Sequence, residues 1–212
     1  MRPPQIPSDL PLGKIPPLID QAEYTQGTLA DADFSAAQAG DVVFDQLRCR
    51  RVRLTQAELT RPQLSDTLLD TCDLAGASLI RAELRRVALQ GCRLLGAALL
   101  DARLEDVLFQ RCNGEALRCW QSTLRAVRFE RCQLRGASFV GSNLSGAVFR
   151  DCDLSGADLR DSTLRGADLR GSTLSGVQVG LRELQGVIVS PPQAAELAGI
   201  LGLAVTAEVP TA

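Results

Sequence analysis

Large apolar residues recur at every fifth position of the chain, in one phase from Tyr24 to Val189. Steps of five from Tyr24 reach Leu29, Phe34, Ala39, Phe44, Cys49 and Leu54, then leucine at every stop from Leu59 to Leu104. The phase continues through Phe109, Gly114, Cys119, Leu124, Phe129, Leu134, Phe139, Leu144 and Phe149 to Leu174, Val179, Leu184 and Val189. Of these 34 positions, 27 are Leu or Phe, which assigns them to a core before any other role. A helix needs apolar spacing near 3.6 and a strand near 2, and a strict five fits neither. A short fixed repeat instead predicts a solenoid, in which each unit buries its face by stacking on its neighbours.

The residue two before each centre is usually small, as at Ala22, Ala32, Val42, Val52, Ala57, Cys72, Ala77 and Cys132, which fits an inward side chain beside a large one. The unit reads small-polar-Leu-x-x, as in Ala157-Asp158-Leu159-Arg160-Asp161 and Ala167-Asp168-Leu169-Arg170-Gly171. Over residues 22–190 this resembles the pentapeptide repeat family, whose signature is A-(D/N)-L-x-x in tandem. The resemblance implies an all-β fold, a right-handed quadrilateral β-helix with one pentapeptide per side and four per coil. The ladders of the chain itself agree with four sides. Cys72, Cys92, Cys112, Cys132 and Cys152 are spaced by 20 residues, as are Ser122, Ser142 and Ser162. Residue n is then expected over residue n−20, and about eight coils at ~4.8 Å make a rod on the order of 40 Å long.

The ends depart from the repeat. Residues 1–19 hold six of the ten prolines and read as an extended arm. Residues 20–190 are the β-helix. In residues 191–212, Ser190 is the expected N-cap and Pro191 the N1 residue of a short helix. Ala194, Leu197, Ala198 and Leu201 follow helical spacing, Gly202 is the expected stop, and Leu203 to Thr206 a short strand. This segment is expected to plug the last coil; in the family it commonly forms a homodimer contact.

Composition narrows the chemistry. The formal charge of −2 does not call for nucleic acid or an anionic membrane. No apolar run approaches a membrane span, the first residues lack the apolar stretch of a signal peptide, and a cytoplasmic location is expected. The seven cysteines sit at inward positions and read as core thiols in a reducing compartment. A stacked column also points its sulfurs in parallel, which does not suit tetrahedral metal binding. With no histidine and a single lysine, Lys14, catalysis is poorly supplied, and neither an enzyme activity nor a cofactor is expected.

Interaction is better supplied. Ile80, Leu100, Trp120 and Val140 each follow a core centre and are 20 apart, which predicts an outward apolar stripe with Ala98 and Leu95 beside it. Such stripes mark binding surfaces, and tryptophan is a favoured anchor. A lesser column comprises Leu68, Ala88, Leu108 and Val148, interrupted by Arg128. The repeat fails most clearly beside Trp120, where Gly114 and Cys119 replace large centres and Leu117 fills a small position. Arg48, Arg50, Arg51 and Arg53 form a basic cluster behind an acidic stretch of Asp20, Glu23, Asp31, Asp33, Asp41 and Asp45, a candidate anion or nucleic-acid contact.

The expectation is a non-catalytic cytoplasmic interaction or scaffold module with an unidentified protein partner. The alternative implied by the resemblance is a DNA mimic that binds DNA gyrase or topoisomerase IV and confers quinolone or toxin resistance. That role needs rows of carboxylates, whereas residues 101–170 carry ten Asp or Glu interspersed with eleven Arg.

Overall fold

A computed structural model describes residues 1–7 and 16–206. Its strands are β1 (Glu23–Ala30), β2 (Gln38–Gly40), β3 (Val43–Arg50), β4 (Glu58–Thr60), β5 (Gln63–Asp70), β6 (Ser78–Ile80), β7 (Glu83–Gln90), β8 (Arg103–Gln110), β9 (Thr123–Arg125), β10 (Arg128–Glu130) and β11 (Val148–Arg150), followed by helix α1 (Pro191–Ile200). In the 8-stranded sheet the order is β1-β3-β5-β7-β8-β10-β11, with β9 beside β8; β2, β4 and β6 form a second sheet. Every pairing is parallel with a register of 20, as in Tyr24 to Phe44, Phe44 to Leu64 and Leu64 to Leu84. The strands make about six turns of a β-solenoid. Isolated bridges carry the same register on from Val148 to Asp168 and from Asp168 to Ile188.

Each pentapeptide makes one side because its last residue turns the chain. The residue two after every centre has left-handed φ, without exception from Gln21 to Gly176. Sequence reading left these positions as variable, yet they are the corners. Glycine meets the requirement freely at Gly146, where φ is 69° and no atom crowds the missing Cβ. Thr71 meets it at a cost, being β-branched at φ 54°. Thr71→Asn is therefore expected to stabilise the fold by about 1 kcal/mol, because asparagine tolerates this conformation. Thermal unfolding should shift upward by roughly 2–4 °C, and Thr71→Val should show no gain.

Every centre from Tyr24 to Leu174 is buried, and so is every residue two before a centre from Val42 to Val177. Like residues stack on like: Phe109, Phe129 and Phe149 lie 4.6 and 4.9 Å apart with rings nearly parallel. Phe139, from another side of the coil, meets Phe129 and Phe149 edge-on at 6.0 and 5.8 Å. The five stacked cysteines are free, and each sulfur lies against a carbonyl of the coil before, as Cys92 Sγ does against Leu69 O at 3.4 Å. Among the described residues no cluster of His, Cys, Asp or Glu could hold a metal. Burial pushes the Cys119 thiol up to about 12.

At the start of the solenoid, Leu18 is buried and the Tyr24 hydroxyl donates to Pro16 O at 3.0 Å. At the other end the repeat loosens, and Val179, Leu184 and Val189 are only partly buried. Helix α1 begins at Ser190 with Pro at N1. Its inner face is Gln193 and Leu197, not the expected Ala194, which is exposed. The Gln193 amide donates to Leu169 O and Ser172 O at 2.7 and 2.8 Å, bonds to last-coil carbonyls that an alanine lacks.

The expected strand at Leu203–Thr206 does not form. Gly202, at φ 82°, ends α1, and the Leu203 N–H bonds back to Ala198 O at 2.9 Å. That closure uses the donor a strand would need, and Leu203 and Val205 remain exposed. Lys14 and residues 207–212 lie outside the described residues.

Candidate interaction surfaces

Ile80, Leu100, Trp120 and Val140 occupy one column. Arg81 N–H donates to Leu100 O at 2.8 Å, Asp101 N–H to Trp120 O at 3.0 Å, and Gln121 N–H to Val140 O at 3.0 Å. Ile80, Leu100 and Val140 are half-buried, and Trp120 is 41% exposed. Ala98 does not belong to this surface, since it is buried in its own ladder between Ser78 and Arg118. Leu100, Trp120 and Val140 line a cleft of about 380 Å³ whose corner residues are Asp101, Gln121, Gly141 and Asp161. The indole is held in place. Its Nε1 donates to Ser138 Oγ at 2.7 Å, and the Arg118 guanidinium lies 5.9 Å from the ring centre. A ring held by a hydrogen bond at its edge and a cation over its face loses little freedom on contact with a partner.

The broken repeat beside Trp120 is a repacking. Gly114 is buried, and a Cβ there would meet Leu134 Cδ2 at 2.9 Å and Leu117 Cβ at 3.6 Å. Leu117 and Cys119 are fully buried, so Leu117 occupies the volume that a large centre at 114 would take.

The four arginines of the basic cluster are not brought together as a free cationic surface. Arg51 Nε lies 2.6 Å from Asp31, Arg53 2.7 Å from Asp33, and Arg50 4.0 Å from Asp70, while Arg48 stands exposed. The Arg51 and Arg53 pairs belong to a wider pattern in which an acid at n meets an arginine at n+20: Asp41 with Arg61, Asp66 with Arg86, Asp73 with Arg93 and Glu83 with Arg103. The Arg51 and Arg61 guanidiniums hold the Asp31 and Asp41 carboxyls below the usual range. Ser35, and then Arg53, hold Asp33 at about 2. Further on, Asp158 with Arg160 and Asp168 with Arg170 pair within one coil, while Asp153 meets Arg135 of the coil before. Carboxylates therefore do not repeat from one coil to the next: an arginine stands between them, as in Asp33, Arg53 and Asp73 or Asp66, Arg86 and Asp106.

One site escaped sequence reading. Residues 1–7 contact Asp66 and Asp106 at a corner one side away from Trp120, and leave the tryptophan exposed. The available signal was the column Asp66, Arg86, Asp106, whose charges alternate at the coil period. The lesser apolar column runs beside it, with Ala88 buried.

No helix among the described residues is long and apolar enough to cross a membrane. No curated protein matches the sequence. Among solved structures, the fold is similar to HetL, a pentapeptide repeat protein involved in heterocyst differentiation regulation from the cyanobacterium Nostoc sp. strain PCC 7120. That match has 22% identity and a TM-score of 0.50, and covers 80% of this chain and 90% of HetL. It is also similar to a trypsin-treated variant of QnrB1, a plasmid-mediated fluoroquinolone resistance protein. Here identity is 22% and the TM-score 0.56, with 90% of this chain and 99% of that one covered. At such identity the likeness is one of fold. The sequence matches the pentapeptide repeat region over residues 62–139 and eight copies of pentapeptide repeats over residues 137–176. With its five-residue centres and 20-residue register, the chain belongs to the pentapeptide repeat family.

Proposed function

We propose that this protein is a non-catalytic interaction module, a rigid rod that presents the Ile80–Leu100–Trp120–Val140 stripe to a protein partner. The observation that carries this reading is Trp120, an anchored and exposed aromatic over an apolar cleft of about 380 Å³. Exposed tryptophans in such clefts are characteristic binding anchors. The seven free, buried cysteines fit a reducing compartment such as the cytoplasm. Trp120→Arg is expected to abolish capture of the partner from a cell extract while leaving the melting temperature within about 2 °C of the parent, as for a surface change. Capture of the same proteins by parent and variant would reject the stripe.

Self-association through the C-terminal segment is supported by a separate observation: Ile200, Leu203 and Val205 are exposed aliphatics there, beside Leu181 and Ile188 at the end of the solenoid sequence. Leu203→Asp combined with Val205→Asp, which spares the docked Gln193 and Leu197, should leave a monomer in light scattering. A monomeric parent, or a dimer mass in the variant, would reject this contact. The DNA-mimic alternative draws its support from the fold likeness to QnrB1, and the interleaved arginines weigh against it. A gyrase supercoiling assay, with and without a fluoroquinolone, is expected to show no effect at micromolar protein; inhibition or drug protection would replace the present reading.

A further inference from the structure

Residues 1–7 lie along the corner formed by Asp66, Arg86 and Asp106. The Arg2 N–H donates to Asp106 Oδ1 at 2.8 Å, and the Arg2 guanidinium Nε to Asp106 Oδ2 at 2.8 Å. The Gln5 N–H donates to Asp66 Oδ1 at 2.9 Å. Arg86 links the coils between them, its Nε 2.7 Å from the same Asp66 oxygen. Glu105 adds a carboxylate 3.8 Å from the Arg2 guanidinium. The side chains of Asp66 and Asp106 are only 8% and 7% exposed, the least of the paired acids, although the Arg2 guanidinium that meets Asp106 is itself exposed.

The spacing of these contacts is matched on the two sides. Asp66 and Asp106 are two coils apart, which is ~9.6 Å along the axis. Arg2 and Gln5 are three residues apart, one turn of a polyproline II helix, which is ~9.3 Å. Because that helix has three residues per turn, residues 2 and 5 fall on one face. Pro3, Pro4 and Pro7 favour this conformation, and Gln5, which is not proline, keeps the N–H that Asp66 accepts. The carboxylates thus read an arginine, with the Met1 ammonium 3.7 Å from Asp106 Oδ1, and, one turn later, a backbone N–H.

We propose that the Asp66–Arg86–Asp106 corner is a docking site for an arginine-bearing polyproline II segment, filled here by the chain's own residues 1–7. A partner carrying such a segment binds by displacing them. The tethered segment competes at an effective concentration of about millimolar, so the site is closed to weak ligands until it is released.

The test uses the full chain with Arg2→Glu, which sets a carboxylate against Asp106 and touches nothing in the solenoid core. The probe is the peptide Met-Arg-Pro-Pro-Gln-Ile-Pro with a fluorophore at its C-terminus, followed by anisotropy. Binding is expected to be at least tenfold tighter to the Arg2→Glu chain than to the parent. It should fall at least tenfold when Asp106→Asn is added, and when the peptide carries Gln5→Pro. Equal binding to parent and Arg2→Glu, no binding to Arg2→Glu, or undiminished binding of the Gln5→Pro peptide would each overturn the proposal.

Discussion

Phe139→Ala is expected to cost ~3–5 kcal/mol, the range for removing a fully buried aromatic ring, and to lower the melting temperature by roughly 6–20 °C. The ring is fully buried and stands edge-on to Phe129 and Phe149, so its removal leaves two stacked rings facing a void. A solenoid cannot easily close that void, because each coil is tied to the next by backbone bonds such as Phe139 N–H to Asp158 O at 2.8 Å. The neighbouring Ser138→Ala removes the acceptor of the Trp120 Nε1 bond and should cost no more than about 1 kcal/mol. Calorimetry on the two variants decides the register of the core: similar shifts in both would show that the five-residue phase does not select the buried positions.

The second large effect is an exchange of volume at the broken repeat. Gly114→Leu restores the ordinary centre but drives a side chain toward Leu134 and Leu117, and should cost about 1–3 kcal/mol as overpacking. Leu117→Ala restores the ordinary small position but leaves a cavity, and should cost about 2–5 kcal/mol. The double variant returns the unit to the family pattern and is expected to recover most of both losses, a coupling of at least 2 kcal/mol, within the range seen for residues in contact. Denaturant unfolding of the four chains measures it. Additive losses would mean that Leu117 does not fill the space above Gly114.

Most of the fold was legible because the solenoid has one rule, and the sequence repeats it until chance is excluded. The centres, the small inward residues and the 20-residue ladder are all side-chain volume constraints, which composition at a position reveals directly. The corners were not legible for the opposite reason. Gln26, Arg51, Asp66 and Thr71 share nothing as side chains, and what they have in common is a backbone angle. The strand expected at Leu203–Thr206 failed because apolar spacing says nothing about whether an edge is present to pair with. Gln193 was overlooked since a polar residue does not register in an apolar pattern, although its two bonds to the last coil hold the helix in place. The Trp120 column was placed correctly as a column, and its bond to Ser138 was not foreseeable, as it joins different coils through side-chain reach alone. Proximity in sequence does not give the partners of the basic cluster. Arg51 and Arg53 find their partners at Asp31 and Asp33, one coil away rather than next door.

Pairing at n and n+20 also makes length a countable property. Excising residues 83–102 would bring Arg103 over Gln63, where Glu83 now stands, and Leu104 over Leu64, where Leu84 stands, with no loop to redesign. Loss or gain of a number of residues that is not a multiple of 20 would move core side chains to a different side or out of the core. Selection acting on such a chain can therefore set the distance between two surface features by duplicating or dropping whole coils, in increments of ~4.8 Å. The spacing between docking features then becomes heritable by copy number, separately from the chemistry of either one.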